Sequence, residues 1–125
     1  MASVTSAQLD MTITNNGTWS DAVQFGAPSG YSWNLNGQSF EMDVQRDRYD
    51  EIPLLQLSTA NGRIVVADAM QRVIYFNVEP LDIQNSLKPG IYVYDLVMVS
   101  TSTPPVRVPL LHGSVVVTQG VTYTP

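Results

Sequence analysis

His112, the single histidine of the chain, is the first residue to consider for chemistry. A lone imidazole provides no histidine pair for zinc. Asp95 is an obvious acidic partner for a Ser-His-Asp arrangement, but the sequence places no serine beside the two residues. His112 also precedes Gly113 within a pattern that predicts a strand. We therefore expect His112 to be a hydrogen-bonded structural imidazole, and we predict no catalytic residues.

A short acidic cluster, Asp47, Asp50 and Glu51, carries the oxygen ligands that calcium prefers. The cluster lacks the alternate-residue spacing and the closing glutamate of an EF-hand loop, and Arg46 and Arg48 offset its charge. We expect a solvated loop with local ion pairs, no metal and no cofactor. The chain has no cysteine, which excludes disulfides, thiolate metal sites and a cysteine nucleophile.

Aromatic side chains raise the possibility of carbohydrate binding, because sugar-binding modules combine aromatic rings with nearby amides. The candidates for such a platform are Tyr31, Trp33, Trp19 and Tyr49. Aromatic content is 9%, and core packing explains buried tryptophan by default. A carbohydrate-binding module that contacts a host surface therefore remains an alternative.

Asp95 is unusual because it lies within the most apolar segment of the chain, residues 91–99. A buried carboxylate must be paired or hydrogen-bonded. Arg107 on the returning segment, or backbone N–H groups of a turn, would provide the partner. We therefore predict a structural role for Asp95.

The hydrophobic pattern predicts an all-β protein: one antiparallel β-sandwich of immunoglobulin-like size, formed by residues 1–125 as a single domain. Apolar alternation or β-branched enrichment marks the candidate strands. These are residues 9–14, 19–25, 39–46, 54–57, 63–66, 72–78, 91–99 and 106–117. Asn61-Gly62 predicts a hairpin turn between its flanking strands. Residues 80–87 favour at most one helical turn, which begins at Pro80.

Two segments, residues 72–78 and 91–99, are apolar on both faces, whereas a sandwich strand normally has one polar face. A loop, the 80–87 segment or another subunit must cover the second face. We expect these strands to be central, so at least two of Phe76, Tyr92 and Tyr94 should be more than half buried.

The charge and the hydrophobic pattern of the chain disfavour two classes of function, nucleic-acid binding and membrane insertion. The chain has 6 basic and 11 acidic residues, a net charge of −5 that disfavours nucleic-acid binding. No apolar run approaches the ~20 residues that span a bilayer, so we expect no membrane insertion. We also expect no signal peptide. Only 14% of the residues are charged, against ~25% in typical domains. This low fraction agrees either with an ordinary β-sandwich that has a polar, uncharged surface or with a surface that contacts other subunits.

Three motifs carry a resemblance to a known group of proteins. The strongest is L-x-P-G-x-Y-x-Y-D-L at residues 87–96, followed after a loop by L-L-x-G-x-V-x-V at 110–117 and V-T at 121–122. A G-R-I segment lies at 62–64, and F-x-x-x-x-R is matched at 40–46 with one extra residue. On these motifs, residues 40–122 resemble a small β-sandwich domain of tailed-bacteriophage structural proteins of the long-tail-fibre, minor-tail and baseplate-attached types.

The resemblance implies a non-enzymatic virion subunit in the tail, the baseplate or the fibre-attachment region. Its partners would be other virion structural proteins in a symmetric multi-copy assembly, and it would be assembled in the host bacterial cytoplasm. A capsid-decorating protein is the alternative from the same class. The motif implies structural roles for Gly90 and Gly113. The loop at 100–105, with its adjacent prolines, and Pro109 depart from the pattern.

Overall fold

A computed structural model describes residues 6–26, 33–50 and 52–122. Nine strands and one helix lie in these residues, close to the segments that the hydrophobic pattern predicts. They are β1 (Ala7–Gln8), β2 (Met11–Thr14), β3 (Ala22–Gln24), β4 (Ser39–Gln45), β5 (Leu55–Ser58), β6 (Ile64–Asp68), β7 (Val73–Phe76), α1 (Pro80–Ser86), β8 (Gly90–Val99) and β9 (Arg107–Thr118).

The strands form two sheets, which confirms the predicted all-β, sandwich-like fold. The larger sheet has the order β1-β9-β8-β4-β5, and β2 also pairs with β9 on the same edge as β1. The smaller sheet has the order β3-β7-β6. The long β8–β9 hairpin is the centre of the larger sheet, as the apolar pattern of residues 91–99 requires.

The N-terminal edge of the larger sheet differs from a purely antiparallel arrangement. Both β1 and β2 run parallel to β9, with Ala7 opposite Leu111 and Met11 opposite Val115. The sequence predicts one strand over 9–14, but the ladder is interrupted at Leu9 and Asp10. The two ends of the described chain are therefore joined in one sheet, by contacts more than a hundred residues apart in sequence.

The core lies between the two sheets. Phe40, Met42 and Val44 of β4 are buried, and the ring of Phe40 stacks on Phe25 at 6.3 Å. Phe76 is fully buried and packs against Trp19, with ring centroids 5.2 Å apart. Burial of each such side chain contributes roughly 1.5–3 kcal/mol. The predicted burial of the central strands is confirmed, because Phe76, Tyr92 and Tyr94 are 0%, 7% and 4% exposed.

Helix α1 has seven residues, about twice the predicted length. Pro80 occupies its first turn, where the missing N–H costs nothing. Ile83 and Leu87 lie in the core, whereas Leu81 is 64% exposed. The Gln84 side-chain amide donates to the Asn15 carbonyl at 2.8 Å. The helix therefore closes one end of the core and is tied to the turn that follows β2.

The predicted hairpin at Asn61-Gly62 is wrong. Strand β5 pairs with β4 in the larger sheet, whereas β6 pairs with β7 in the smaller one. The Asn61 carboxamide oxygen accepts hydrogen bonds from the N–H groups of Ser58 and Arg63. Gly62 adopts φ 79°, but Asn61 does not have the positive φ that a type I′ hairpin turn also requires. This turn carries the chain from one sheet to the other.

Candidate functional site

A row of polar side chains crosses the outer face of the larger sheet, the face turned away from the core. Strand register places Gln56 opposite Asp43, Asp43 opposite Asp95, and Asp95 opposite His112. Gln8 on the parallel edge strand extends the row. Residues directly opposite each other in paired strands project from the same face and interact. Five strands thus assemble one polar stripe from residues far apart in sequence.

Four members of the stripe, Gln8, Asp43, Asp95 and His112, line a shallow hollow of about 620 Å³, and Gln56 lies outside its lining. Amides, carboxylates, the Arg48 guanidinium and the imidazole line it together. The lining residues are Gln8, Asp10, Asp43, Gln45, Arg48, Val93, Tyr94, Asp95, His112, Gly113 and Ser114. Three aspartates face one arginine here, so the hollow is acidic. We refer to it as the outer-face hollow.

The structure corrects the expected environment of Asp95. Its side chain is exposed on the outer face, because alternation along β8 turns Tyr94 and Leu96 inward and Asp95 outward. The anticipated partner Arg107 instead contacts Glu41, at 3.3 Å. Within the described residues no basic side chain donates a hydrogen bond to Asp95. Partial burial and the Asp43 carboxylate opposite raise the pKa of Asp95, and Arg107 opposes the shift.

His112 has a hydrogen-bond partner that the sequence did not reveal. The Ser6 hydroxyl lies 2.8 Å from Nδ1 of His112, because the parallel β1–β9 pairing brings the N-terminus beside this ring. In the described part of the chain, no carboxylate accepts a hydrogen bond from the imidazole. Ser6 and His112 therefore form a serine–imidazole pair without the acidic residue that would orient a general base. The pair ties the first residues of the sheet to β9.

The motif residues of the β8–β9 hairpin hold the N-terminal edge in place. The Tyr94 hydroxyl donates to the Leu9 carbonyl at 2.6 Å, and burial, with Asp10 nearby, raises the pKa of Tyr94 to about 12. A Cβ on Gly113 would collide with that same carbonyl oxygen. The absence of a side chain at Gly113 is what allows the N-terminal chain to cross here.

The first part of the hairpin motif closes its own turn. The Tyr92 hydroxyl donates to the Lys88 carbonyl at 2.5 Å, and its ring passes 3.9 Å from the position of a Cβ on Gly90. Together with the Tyr94 contact, this gives the repeated Tyr-x-Tyr pattern a structural explanation: each tyrosine is apolar in its ring and satisfies a carbonyl with its hydroxyl.

Asp10 completes the edge between β1 and β2. Its carboxylate accepts the Ser114 N–H at 3.0 Å, and this hydrogen bond is the main cause that lowers the pKa of Asp10. The side-chain amide of Gln8 also approaches Asp10, at 3.5 Å. A polar side chain thus replaces the backbone pairing that is lost where the parallel ladder is interrupted.

The loop between β4 and β5 exposes apolar side chains. Tyr49 and Ile52 are 84% and 77% exposed, and both line a second hollow of about 510 Å³ with Arg46, Asp50 and Leu54. We call these five residues the loop patch. The loop leaves β4 where Gln45 pairs with Val93, so it lies at the same end of the sheet as the start of β8.

Among the described residues, the aromatic side chains considered for a carbohydrate platform do not come together. Trp19 is 2% exposed in the core, and Trp33 packs on Phe25. Tyr49 is separate from both in the loop patch, while Tyr31 lies outside the described residues. The tryptophans therefore serve packing, as their default role suggests.

Two further searches concern metal ions and membranes. Among the described residues, no group of three or more His, Asp or Glu side chains is placed to hold a metal ion. Of the predicted acidic cluster, Glu51 lies outside the described residues, while Asp47 accepts the Tyr49 N–H within its own loop. No helix in the described ranges has the length and apolar character needed to cross a membrane.

Comparison with known proteins found no match among protein-family models and none among curated proteins.

Proposed function

We propose that the chain is a non-enzymatic structural subunit of a tailed-phage virion, in the tail, baseplate or fibre-attachment region, that docks on neighbouring virion proteins. The observation that carries the proposal is the loop patch beside an uncovered sheet face. Large apolar side chains exposed together on a small domain are typical of protein–protein contacts. A virion subunit requires such contacts in every copy.

The uncovered face of the larger sheet supports docking at the same end. Ile91, at the start of β8, is 70% exposed, and Val93 and Val97 on the same strand are half-buried. The smaller sheet and α1 cover only the inner face. The outer apolar face of residues 91–99 is therefore only partly covered within the described chain, which leaves the rest for a partner to cover. Low charge density fits such a surface, because charged residues are depleted in the cores of interfaces.

The hairpin motif supports the resemblance on structural grounds. Tyr94 and Gly113 make the contacts that close the N-terminal edge onto β9, and Tyr92 closes the turn that precedes β8. A motif with this role is a signature of a fold and not of a catalytic centre. It therefore agrees with a structural subunit, and the surface outside the motif is where docking would occur.

The test compares two variants in the phage that encodes the chain. Tyr49→Ser/Ile52→Ser removes the apolar part of the loop patch. Leu81→Ser is the control, since Leu81 is a large apolar residue on α1 that is 64% exposed. We expect both proteins to unfold with unchanged midpoints, because neither change touches the core. Only the double variant should be lost from purified particles, as measured by immunoblotting.

The same experiment addresses assembly and position. We expect the wild-type chain in several symmetric copies, with a total interface above ~1,000 Å² per copy, and gold-labelled particles viewed by negative stain would give its location. Labelling on the head would favour the capsid-decorating alternative. Absence of the wild-type chain from particles, or equal incorporation of the double variant and the control, would contradict docking through the loop patch.

The outer-face hollow favours one second candidate, a carbohydrate-binding role. Side-chain amides, carboxylates and a guanidinium in an open groove are suited to hydrogen-bonding adjacent hydroxyls. In this case the chain would bind immobilised glycans, and Asp43→Ala would abolish binding whereas Tyr49→Ser/Ile52→Ser would not. The two proposals therefore separate by which surface the binding requires.

A further inference from the structure

We propose that Asn36 is a modification site at which the folded chain deamidates spontaneously, while the two other Asn-Gly steps are protected by the fold. The chain has Asn-Gly at 16–17, 36–37 and 61–62. Because glycine has no side chain, the backbone nitrogen of a glycine that follows asparagine is unhindered. Asparagine is also a thermolabile residue. The three steps share the same local chemistry, so the difference between them comes from the structure.

The reaction needs a mobile carboxamide and a free glycine nitrogen. After the Gly37 N–H loses its proton to solvent, the nitrogen forms a bond with Cγ of Asn36. The Cγ–Nδ2 bond breaks, and ammonia leaves. Water then opens the cyclic succinimide at one of its two carbonyls, which gives aspartate or isoaspartate. No redox partner or cofactor is required.

At Asn61 both requirements fail. The Asn61 oxygen accepts from Ser58 and Arg63, and its Nδ2 donates to the Gln56 carbonyl at 3.0 Å. The Gly62 N–H donates to the Thr59 carbonyl. Three hydrogen bonds must break before the carboxamide can turn toward the glycine nitrogen, and a fourth occupies that nitrogen.

At Asn16 the fold imposes similar restraints. The Asn16 Nδ2 donates to the Thr122 carbonyl at 2.8 Å, and the Gly17 N–H donates to the Thr14 carbonyl at 3.2 Å. The Asn16 side chain also packs so closely on Gly120 that a Cβ there would collide with it. The contacts with Thr122 and Gly120 therefore hold the Asn16 carboxamide in place.

Asn36 lacks these restraints. It lies exposed in a turn closed by the Gln38 N–H on the Leu35 carbonyl, and Gly37 adopts φ 72°. Within the described ranges the one acceptor for its Nδ2 is the Met70 sulfur, at 3.8 Å, and thioether sulfur is a weak acceptor. Among the described residues, no carbonyl accepts from the Gly37 N–H. Both the carboxamide and the attacking nitrogen are accessible.

The test follows the three sites in the purified full-length chain at mildly alkaline pH. Tandem mass spectrometry measures conversion of each amide to acid over time, in native buffer and in concentrated guanidinium chloride. In native buffer we expect Asn36 to react at least about tenfold faster than Asn16 or Asn61, equivalent to about 1.4 kcal/mol of barrier. In denaturant the three rates should converge, because the restraints belong to the fold.

Asn36→Gln provides the control for the folded protein. It should remove the acidic species that isoelectric focusing detects as the wild-type chain ages. Equal native rates at Asn36 and Asn61 would overturn the proposal. The proposal would also be overturned if the fold protects Asn36. In that case its deamidation rate in native buffer would fall as far below its rate in denaturant as the rates of Asn16 and Asn61 do.

Discussion

Gly113→Ala tests the central structural claim, that the β8–β9 hairpin and the N-terminal strands close on one another through a position with no side chain. A Cβ at residue 113 would collide with the Leu9 carbonyl oxygen and lie 2.8 Å from the Asp10 carboxylate. Backbone atoms cannot rotate away as a flexible side chain can. The segment containing Leu9 must therefore move off the sheet.

The expected cost follows from the contacts that this movement breaks. The Leu9 N–H donates to the His112 carbonyl at 2.9 Å, and the Tyr94 hydroxyl donates to the Leu9 carbonyl. Each hydrogen bond contributes ~0.5–1.5 kcal/mol, and a buried hydroxyl left unpaired adds ~1–3 kcal/mol. We expect Gly113→Ala to lower the free energy of unfolding by about 2–4 kcal/mol. Since a domain is stable by ~5–15 kcal/mol, the variant should still fold.

Urea unfolding measured by tryptophan fluorescence provides the assay. With a slope of about 2 kcal/mol per molar urea, the middle of the ~1–3 range for small proteins, the midpoint should fall by about 1–2 M. Gly17→Ala is the matched control: the nearest atom to its Cβ is the Thr14 carbonyl oxygen, at 3.9 Å. We expect that control to stay within ~0.5 kcal/mol of the wild type. A Gly113→Ala midpoint equal to that of the control would refute the proposed closure.

A double-mutant cycle distinguishes the loss of the Tyr94–Leu9 hydrogen bond from general backbone strain caused by Gly113→Ala. Tyr94→Phe removes the hydroxyl that reaches Leu9 and should destabilise the wild-type chain. In the Gly113→Ala background the Leu9 carbonyl has already moved, so Tyr94→Phe should cost less there. Additive effects would mean that Tyr94 and Gly113 act independently, which the geometry contradicts.

Two further predictions concern the core and the outer face. Phe76→Ala should cost ~3–5 kcal/mol in chemical denaturation, because Phe76 is fully buried against Trp19; an unchanged midpoint would contradict its central position. Burial and the Asp43 carboxylate raise the pKa of Asp95. The contribution of Asp95 to the free energy of unfolding is therefore present below ~pH 3.9 and is lost as the pH rises through the raised pKa. Asp95→Asn should remove that decline and, measured by unfolding at neutral pH, leave stability unchanged or higher by less than ~1 kcal/mol.

The strands were predictable from sequence because their signal is local. Alternation in residues 39–46 correctly assigns Phe40, Met42 and Val44 to the core, since the side-chain period of a strand is two whatever its partner. The face of a strand on which a residue lies can therefore be predicted from its nearest neighbours in sequence. Burial of Tyr92 and Tyr94 is predicted differently, from the central position expected of residues 91–99, because that segment is apolar on both faces.

Pairing was less predictable because it depends on distant residues. Asn61-Gly62 is a dipeptide typical of hairpin turns, yet its flanking strands belong to different sheets. The parallel addition of β1 and β2 to β9, and with it the Ser6–His112 contact, leaves no trace in local periodicity. Its only sequence signal is Gly113, a glycine within a strand, which often marks the close approach of another backbone.

The same division explains why Asp95 was misjudged. Its neighbours Tyr94 and Leu96 are deeply buried, and the apolar character of the strand alone predicts a buried, paired carboxylate. Strand β8 instead separates two environments, an inner face packed against the smaller sheet and an outer face that no element of the described chain covers. An aspartate on the outer face needs no internal partner.

The two faces of β8 also indicate where function and stability separate. Substitutions on the inner face change the free energy of unfolding directly, because every side chain there fills the core. Side chains of the loop patch and the outer face fill no core space, and their exposure is tolerated by the folded monomer. Large apolar residues at Tyr49 and Ile52 therefore gain their energetic value only when another surface covers them. In the proposed docking role a partner would cover them, and a change at the patch would weaken that docking while the sandwich stays intact.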